Sequence, residues 1–210
     1  MRTTVRTLIA GLVVAGLGSG CGQLATQGTG PSQIVITSLV GASGAQPELF
    51  GGTLHSDVIT MVEREVGGQT QQFATVYDDL AQVSMELVLK DPGQPGVATT
   101  PSALNSITFN RYRVTYKRAD GRNAPGIDVP YGFDSAVTFT VPEAGTVTAS
   151  FMIVRHTAKD EAPLRALAVS GVIIDTIADV TFYGRDQAGN EVIATGSIGV
   201  LFGNFGDPSS

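Results

Sequence analysis

Apolar and polar residues alternate along most of the chain from position 33 onward. In Gln82–Lys90, Val83, Met85 and Leu87 share one face, while polar residues occupy most of the other. A period of two is typical of half-buried β-strands, and the β-branched and aromatic residues that fill the pattern suit a pleated sheet. The same alternation predicts strands at 33–40, 82–90, 106–117, 137–141, 146–153, 179–185 and 191–202.

Turn-forming residues separate these strands at short intervals. Clusters of Asp, Asn, Pro and Gly lie at 91–96, 120–126, 142–145 and 186–190, and the last two have the length of hairpin turns. Seven to nine short strands with this spacing predict an all-β fold, a two-sheet antiparallel β-sandwich of immunoglobulin-like architecture. The paired cysteines and core tryptophan of antibody domains are absent from the sequence, so the likeness concerns architecture alone.

Two segments depart from the strand pattern. Asp160–Val169 carries apolar residues at helical spacing, and Asp160 is a residue type that caps helices, so this segment predicts one short helix across an end of the sandwich. Asp57–Val66 fits either a helix or a strand, and its neighbours favour a strand. Because no internal repeat or second boundary interrupts the sequence, we expect a single β-sandwich domain over residues 33–210.

The first twenty residues have the layout of a secretory signal peptide. Arg2 and Arg6 supply a positive start, Leu8–Leu17 forms a ten-residue apolar run, and Gly18–Gly20 are all small. A run of this length is too short for a membrane-spanning helix, which needs about 20 apolar residues. We therefore predict that residues 1–20 direct export and are removed.

The junction Leu17-Gly18-Ser19-Gly20-Cys21 resembles the signal of bacterial lipoproteins, which ends in small residues followed by a cysteine that is modified. The resemblance implies that the Cys21 sulfur carries a diacylglycerol and that membrane lipid is a partner of the protein. Two or more acyl chains give stable anchoring. The sequence departs from the usual pattern at Gly18, where the family prefers Leu. Two alternatives stay open: ordinary cleavage near Gly20, which would leave a soluble protein with a free thiol, and a leader-like segment that is not cleaved.

The residues after Cys21 bear on where the domain sits. Residues 22–32 are small, polar and rich in Gly, Ser and Thr, so residues 21–32 are predicted to form a lipidated cysteine and flexible tether. Position 22 is Gly rather than the Asp that tends to retain lipoproteins at the inner membrane of enteric-type bacteria. By this resemblance, we expect the domain in the cell envelope on the export side, at the outer membrane where the host has one.

The charge balance excludes some partners. The formal net charge is −6, and it becomes −8 once Arg2 and Arg6 are removed with the leader. An acidic domain repels nucleic acid and anionic lipid, so neither is an expected partner. Cys21 is the single cysteine of the chain, which excludes an intrachain disulfide.

The sequence contains few residues of the types that carry out catalysis. A Ser-His-Asp or Cys-His site would have to use His55, expected in a polar loop, or His156, expected at a strand end. Neither is accompanied by a Gly-x-Ser-x-Gly motif, and the chain lacks the His and Cys ligands of a zinc site. We therefore predict a protein that is not an enzyme and has no metal and no cofactor.

Carboxylates are the remaining candidates for chemistry. Asp78 and Asp79 form a pair before a predicted strand, and Asp186 and Glu191 flank a predicted turn. Calcium takes oxygen ligands from such loops, but EF-hand spacing is absent, and Asp and Gly at 186–191 are explained by a turn.

The candidate binding surface combines basic and aromatic residues. Arg111 and Arg113 lie on one face of a predicted strand, and Tyr131 and Phe133 lie in the long connection 118–135. Arg and aromatic residues are frequent interface anchors, and loops on rigid scaffolds often carry function. Each pair also has an explanation without a binding role. The arginines could form a solvated strand face, and Tyr131 and Phe133 could close the edge of the sandwich.

Three functional hypotheses follow from these observations. The first is an envelope-anchored binding module that docks to another envelope protein or a glycan. The second is a structural envelope lipoprotein without a specific ligand. The third is an envelope hydrolase, which requires a histidine, a carboxylate and a hydroxyl to converge in a cleft.

Overall fold

The computed structural model of the protein describes residue 28 and residues 30–206. Most of this part forms strands, and the predicted all-β sandwich is confirmed. Cys21 and the predicted signal peptide lie outside the described residues, as does most of the predicted tether. The strands of the described part are β1 (Ser32–Ala42), β2 (Thr53–Asp57), β3 (Thr60–Val66), β4 (Gln69–Thr75), β5 (Asp79–Leu89), β6 (Gly93–Gln94), β7 (Val97–Ala98), β8 (Ile107–Lys117), β9 (Phe133–Val141), β10 (Thr146–Val154), β11 (Ile174–Asp186) and β12 (Glu191–Gly203).

Two sheets form the sandwich. A three-stranded sheet has the order β1-β5-β10, and a five-stranded sheet has the order β2-β12-β11-β8-β9. Their pairings are antiparallel except that β2 runs parallel to β12, so the expectation of a wholly antiparallel sandwich misses one edge strand. Two small hairpins, β3-β4 and β6-β7, lie outside these sheets.

The inner faces of the two sheets bury one apolar core. On β5 the alternation holds as predicted, and Ala81, Val83 and Met85 are inaccessible to solvent. Aromatic rings from both sheets meet in the centre, where the rings of Phe151 and Phe182 pack edge to face at 5.2 Å. Full burial of such a side chain contributes about 1.5–3 kcal/mol, which makes this core the main source of stability.

Two tyrosine hydroxyls also connect the sheets. Tyr112 Oη donates to the carbonyl oxygen of Met152 at 2.9 Å, and Tyr116 Oη donates to that of Ile153 at 2.6 Å. Both donors lie on β8, and both acceptors lie on β10. These bonds connect β10, an edge strand of the three-stranded sheet, to the five-stranded sheet.

The predicted helix over 160–169 is wrong in its bounds. A short helix, α1 (His156–Lys159), begins earlier, and Asp160 ends it rather than capping its start. A 3₁₀ helix, Leu164–Val169, follows and buries Leu164 and Leu167 against the sandwich. Pro163 separates the two pieces, because proline lacks the N–H that a continuing helix needs and disfavours helical backbone at the residue before it.

Three local predictions also need correction. The turn at 142–145 does not close a hairpin within one sheet, because β9 and β10 belong to different sheets. His55 lies in β2 rather than in a loop. The strand favoured over 57–66 is confirmed as β3 for Thr60–Val66, but its partner β4 was not predicted because its sequence, QTQQFAT, is polar on both faces.

Candidate functional site

The strands place the connections of the sandwich at two ends. The ends lie about 35 Å apart, which is the length of the eleven-residue strands β1 and β5. The N-terminal end holds the start of β1, the loop 90–106 and the turns 142–145 and 186–190. The opposite end, called the far end here, holds the connection 118–132, the segment 155–173, the base of the β3-β4 hairpin and the end of β12.

A buried polar cluster organises the far end. Lys159 Nζ donates to Asp79 Oδ1 and to the carbonyl oxygen of Asp57, each at 2.8 Å. Ser56 Oγ donates to Asp79 Oδ2 at 2.6 Å, and the backbone N–H of Gly44 donates to Asp79 Oδ1 at 2.8 Å. The side chains of Lys159 and Asp79 are 1% and 0% exposed. This cluster joins α1 to β2, β5 and the connection that follows β1.

The carboxylate of Asp57 extends this cluster to two further segments. It accepts hydrogen bonds from Thr60 Oγ1 at 3.1 Å, at the base of the β3-β4 hairpin, and from the backbone N–H of Phe205 at 3.3 Å. Burial raises the pKa of Asp57 and the pKa of Asp79, against the opposing influence of the Lys159 charge and of their hydrogen bonds. Within the described residues, every buried side-chain nitrogen and oxygen has a hydrogen-bond partner, so the cluster is internally satisfied.

A histidine and a carboxylate meet beside this cluster. His156 Nδ1 lies 2.8 Å from Asp78 Oδ1, and the backbone N–H of His156 donates to the same oxygen at 2.6 Å. Burial raises the pKa of Asp78, but the hydrogen bonds from His156 lower it by more, and the net shift is downward. Asp78 thereby binds the first residue of α1 from outside the helix, which gives the pair a structural role in positioning α1.

The connection 118–132 is held by its own hydrogen bonds. The backbone N–H of Arg118 donates to Asn123 Oδ1 at 2.6 Å, and Arg118 Nη2 donates to Asp120 Oδ2 at 2.7 Å. Asp128 Oδ2 accepts the N–H of Ala124 at 3.1 Å. The guanidinium of Arg118 holds the pKa of Asp120 well below its usual range. Ordered in this way, the connection is a fixed part of the far end.

Tyr131 is packed against the same connection. Gly126 has a φ of +77°, and a side chain at that position would overlap the Tyr131 ring, so glycine is required there both by backbone conformation and by space. Tyr131 nevertheless remains 58% exposed. It does not close the edge of the sandwich, so that alternative is wrong for this residue.

Exposed apolar side chains border the far end. Ile127 and Tyr131 come from the connection 118–132, and Val169, Val172, Ile173 and Phe205 come from the segments beside β11 and β12. Ile173 and Phe205 both pack over Gly203, where a Cβ would lie 3.3 Å from each. We call these six residues the apolar rim. Val169, at 92% exposed, and Ile127, at 74%, are almost fully accessible to solvent.

Two grooves lie close to the rim. One, of about 350 Å³, is lined by Leu49, Phe50 and His55, and the His55 ring stacks on Phe205 with centroids 5.2 Å apart. The other, of about 300 Å³, lies between Arg118–Asp120 and Asp175–Ile177. The first groove thus borders β2, and the second lies between β11 and the connection 118–132.

The structure brings Arg111 and Arg113 together on the outer face of the five-stranded sheet. Arg111 Nη1 lies 3.2 Å from Asp134 Oδ1, and Arg113 Nη2 lies 2.8 Å from Asp134 Oδ2. The Arg111 guanidinium also stacks on the Tyr183 ring at 4.0 Å. Asp134 thus pairs with both arginines but balances only one of their two positive charges, and both side chains stay about half exposed, as on the solvated strand face that the sequence left open.

Phe133 does not join the arginines. Its ring packs edge to face with Tyr112 at 6.2 Å and is partly buried on the inner side of β9. Arg155 covers it, with Cζ 3.8 Å from the ring centroid, and also donates to the carbonyl oxygen of Asp134 at 2.9 Å. The four predicted surface residues thus divide between an outer sheet face, a partly buried ring and the far end.

The other carboxylates singled out in the sequence serve local structure. Asp186 Oδ1 accepts the N–H of Asn190 at 2.8 Å within its turn, and Glu191 pairs with Arg185 at 2.9 Å. Across residues 28 and 30–206, no group of three or more His, Cys, Asp or Glu side chains is arranged to hold a metal ion.

Sequence reasoning missed the polar cluster, although one signal pointed to it. Asp79 falls on the inward positions of the β5 alternation, in register with Ala81, Val83 and Met85. A charged residue on an inward position requires a partner, because burying an unpaired charge costs several kcal/mol. Nothing in the sequence identified Lys159, which lies eighty positions away.

Comparison of the chain with protein-family models, with curated proteins and with solved structures finds no match. No family therefore supplies functional residues for this chain. In the part of the chain that the structure describes, no helix has the length and apolar composition needed to span a bilayer.

Proposed function

We propose that the protein is a lipid-anchored envelope protein whose β-sandwich acts as a non-enzymatic binding module. Cys21 would carry the lipid, and the apolar rim at the far end would dock to another protein of the envelope. Apolar side chains that remain exposed on ordered loops are typical of protein interaction sites.

One observation carries this proposal. The described chain starts at the N-terminal end of the sandwich, where Gly30 lies beside Asp186 and Asn190, and the apolar rim lies at the other end, about 35 Å away. A domain anchored through residues 21–32 would therefore present the rim away from its membrane. Attachment and presentation at opposite ends suit a tethered docking protein.

The internal order of the far end supports the same proposal. The buried polar cluster bonds to the backbone of Phe205, and hydrogen bonds within the connection 118–132 order the backbone that carries Ile127. A preorganised surface loses less conformational entropy on association, so fewer apolar contacts suffice for binding.

The histidines favour binding over hydrolysis. The imidazole of His156 and the carboxylate of Asp78 are engaged with each other at the start of α1, and His55 stacks on Phe205. A serine-type hydrolase needs its histidine oriented by the carboxylate on one nitrogen and bonded to a nucleophile on the other. The Ser56 hydroxyl, in the adjoining buried cluster, donates instead to Asp79.

Site-specific crosslinking in cell envelopes tests the docking surface. A photoreactive amino acid placed at Ile127 or at Val172, on separate segments of the rim, should crosslink to the same partner protein. The matched control is Thr138, which is exposed on the outer face of β9. A second change, Tyr131→Ala, should abolish both crosslinks while leaving the far-ultraviolet circular dichroism spectrum unchanged.

Two results would overturn the proposal. Equal crosslinking from Thr138 would mean that the contacts are nonspecific, and different products from Ile127 and Val172 would mean that the rim is not one surface. The anchor is tested separately by membrane fractionation of the Cys21→Ser variant. Wild-type protein in the soluble fraction would contradict lipid anchoring.

A further inference from the structure

A second exposed apolar feature lies at the N-terminal end. The loop 90–106 connects β5 to β8 and includes the small β6-β7 hairpin. Val97 is 76% exposed in that hairpin, and Leu104 is 68% exposed in the 3₁₀ turn Ala103–Asn105. We call residues 92–106 the proximal loop.

The proximal loop and Lys90, which precedes it, are bonded to residues 28–32. The backbone N–H of Lys90 donates to the carbonyl oxygen of Pro31 at 2.9 Å, and Lys90 Nζ donates to that of Gly28 at 2.6 Å. At the other side of the loop, Asn105 Nδ2 donates to Ser32 Oγ at 3.1 Å. Both sides of the proximal loop are therefore fixed to residues 28–32 at the N-terminal end.

The composition of the proximal loop is unusual for a water-exposed segment. Its fifteen residues, PGQPGVATTPSALNS, contain no Asp, Glu, Lys or Arg, although 15% of the whole chain is charged. Two carboxylates beside the loop accept local hydrogen bonds. Asp91 Oδ1 accepts a bond from the N–H of Gly93 at 2.9 Å, and Glu143 Oε2 accepts one from the Ser106 hydroxyl at 3.1 Å. The loop thus combines two exposed apolar side chains with an uncharged surface.

We infer that the proximal loop lies on the lipid bilayer that holds Cys21, with Val97 and Leu104 in the boundary between headgroups and acyl chains. This inference rests on the proposed lipid anchor. Ten residues from Cys21 to Gly30 reach at most about 35 Å when fully extended, so the anchor keeps the N-terminal end within that distance of the membrane surface. The tether raises the effective concentration of the proximal loop at the membrane, so weak apolar contacts are enough to hold the domain in one orientation.

The contact is apolar rather than electrostatic. Transfer of Val and Leu side chains out of water is favourable, and the absence of charge on the proximal loop removes the cost of bringing ionised groups to the bilayer. The net charge of −8 on the domain without its leader would repel an anionic surface, so the contact should be strongest on zwitterionic lipid and insensitive to added salt. This orientation points the apolar rim away from the membrane.

The absence of tryptophan from the chain permits a direct test. Val97→Trp introduces a single tryptophan in the proximal loop, and Val169→Trp places the matched control on the apolar rim. The full chain is reconstituted into phosphatidylcholine vesicles containing lipid brominated on its acyl chains, which quenches tryptophan fluorescence on contact. Cys21 carries either its own acyl groups or, where the thiol is free, a maleimide-headed lipid, so the domain is anchored in both cases.

The inference predicts that brominated lipid lowers the emission of Trp at position 97 at least twofold and leaves that at position 169 unchanged. Quenching at neither position, or equal quenching at both, would overturn it. Mass spectrometry of Cys21 from cell envelopes reports on natural acylation independently. A free thiol there would refute the proposed anchor, whereas an acylated protein without quenching at position 97 would refute only the orientation.

Discussion

Replacing Lys159 by methionine should destabilise the fold far more than the loss of an ordinary ion pair. The Asp79 carboxylate is 0% exposed and would remain buried without its cation. Removing one partner of a buried pair costs about 3–5 kcal/mol, since the remaining charge is left uncompensated. Asp79 would keep its hydrogen bonds from Ser56 and Gly44, so we expect a loss at the lower end, about 3 kcal/mol.

The pH dependence of this loss has a definite sign. Burial already raises the pKa of Asp79, and the Lys159 charge is the strongest opposing influence, so the Lys159→Met variant should raise that pKa further. A carboxyl whose folded pKa lies above its unfolded value of about 3.9 favours folding below that value. This contribution is lost as the pH rises through the folded pKa. The deficit of the variant relative to wild type should therefore be largest at neutral pH and shrink toward pH about 4.

Urea unfolding followed by far-ultraviolet circular dichroism measures both effects. Lys117→Met is the matched control, because Lys117 Nζ also pairs with an aspartate, Asp179, at 2.6 Å, but with 51% of the lysine side chain exposed. An exposed pair of this kind contributes about 0–1 kcal/mol. Equal losses below about 1 kcal/mol in both variants would refute the reasoning. If Lys159→Met does not fold, adding Asp79→Asn should restore folding, because the uncompensated charge is then removed.

Three further predictions concern other parts of the structure. Gly126→Ala should lower the free energy of unfolding by at least about 1–2 kcal/mol in urea titrations, because it strains a left-handed backbone and displaces the Tyr131 ring. Tyr116→Phe should lower the free energy of unfolding by about 0.5–1.5 kcal/mol in the same measurement, because it removes the hydrogen bond from the Tyr116 hydroxyl to the carbonyl oxygen of Ile153. Burial raises the pKa of Asp78, but the hydrogen bonds from His156 lower it by more, so the folded pKa lies below the ordinary value of about 4. The Asp78 carboxylate therefore stabilises the fold above that ordinary value, and this stabilisation is lost as the pH falls through the folded pKa. Asp78→Asn should accordingly be less stable than wild type at neutral pH and approach it in acid.

Each of these has a control or a contrary outcome. Gly121→Ala has a similar φ, +83°, but meets no atom within 4 Å, so it should cost less than Gly126→Ala, and equal costs would exclude the contact with Tyr131. An unchanged midpoint for Tyr116→Phe would mean that its hydroxyl adds nothing to stability. A difference between Asp78→Asn and wild type that stays constant with pH would show that the charge of Asp78 is not involved.

The alternation of side chains carried most of the fold prediction, as β5 illustrates. Its inward positions are those that the period of two assigned to one face, since a residue faces the core or the solvent according to its place in the pleat. The alternation does not indicate which of the two sheets a strand joins. It therefore mistook the turn between β9 and β10 for a hairpin and did not reveal that β2 pairs parallel to β12.

The candidate site was predicted less well, because its parts are distant in sequence. Arg111 and Arg113 were correctly placed on one strand face, but Asp134, which pairs with both of them, lies on the adjacent strand. Phe133 and Tyr131 are two positions apart and yet separate into a partly buried ring and an exposed one. Strand pairing decided these partners, and pairing depends on contacts that no local pattern encodes.

The amino-acid sequence alone was sufficient for the strand pattern, the all-β class, the acidic charge and the prediction of an anchor at Cys21, since these depend on local periodicity and composition. The tertiary structure decided that residues 30–32 lie at one end of the sandwich, whereas the exposed apolar residues of the rim lie on segments at the other end. It also decided that Lys159 neutralises Asp79. Both results depend on side chains brought together across sheets and loops, and long-range packing rather than sequence neighbourhood determines which groups meet.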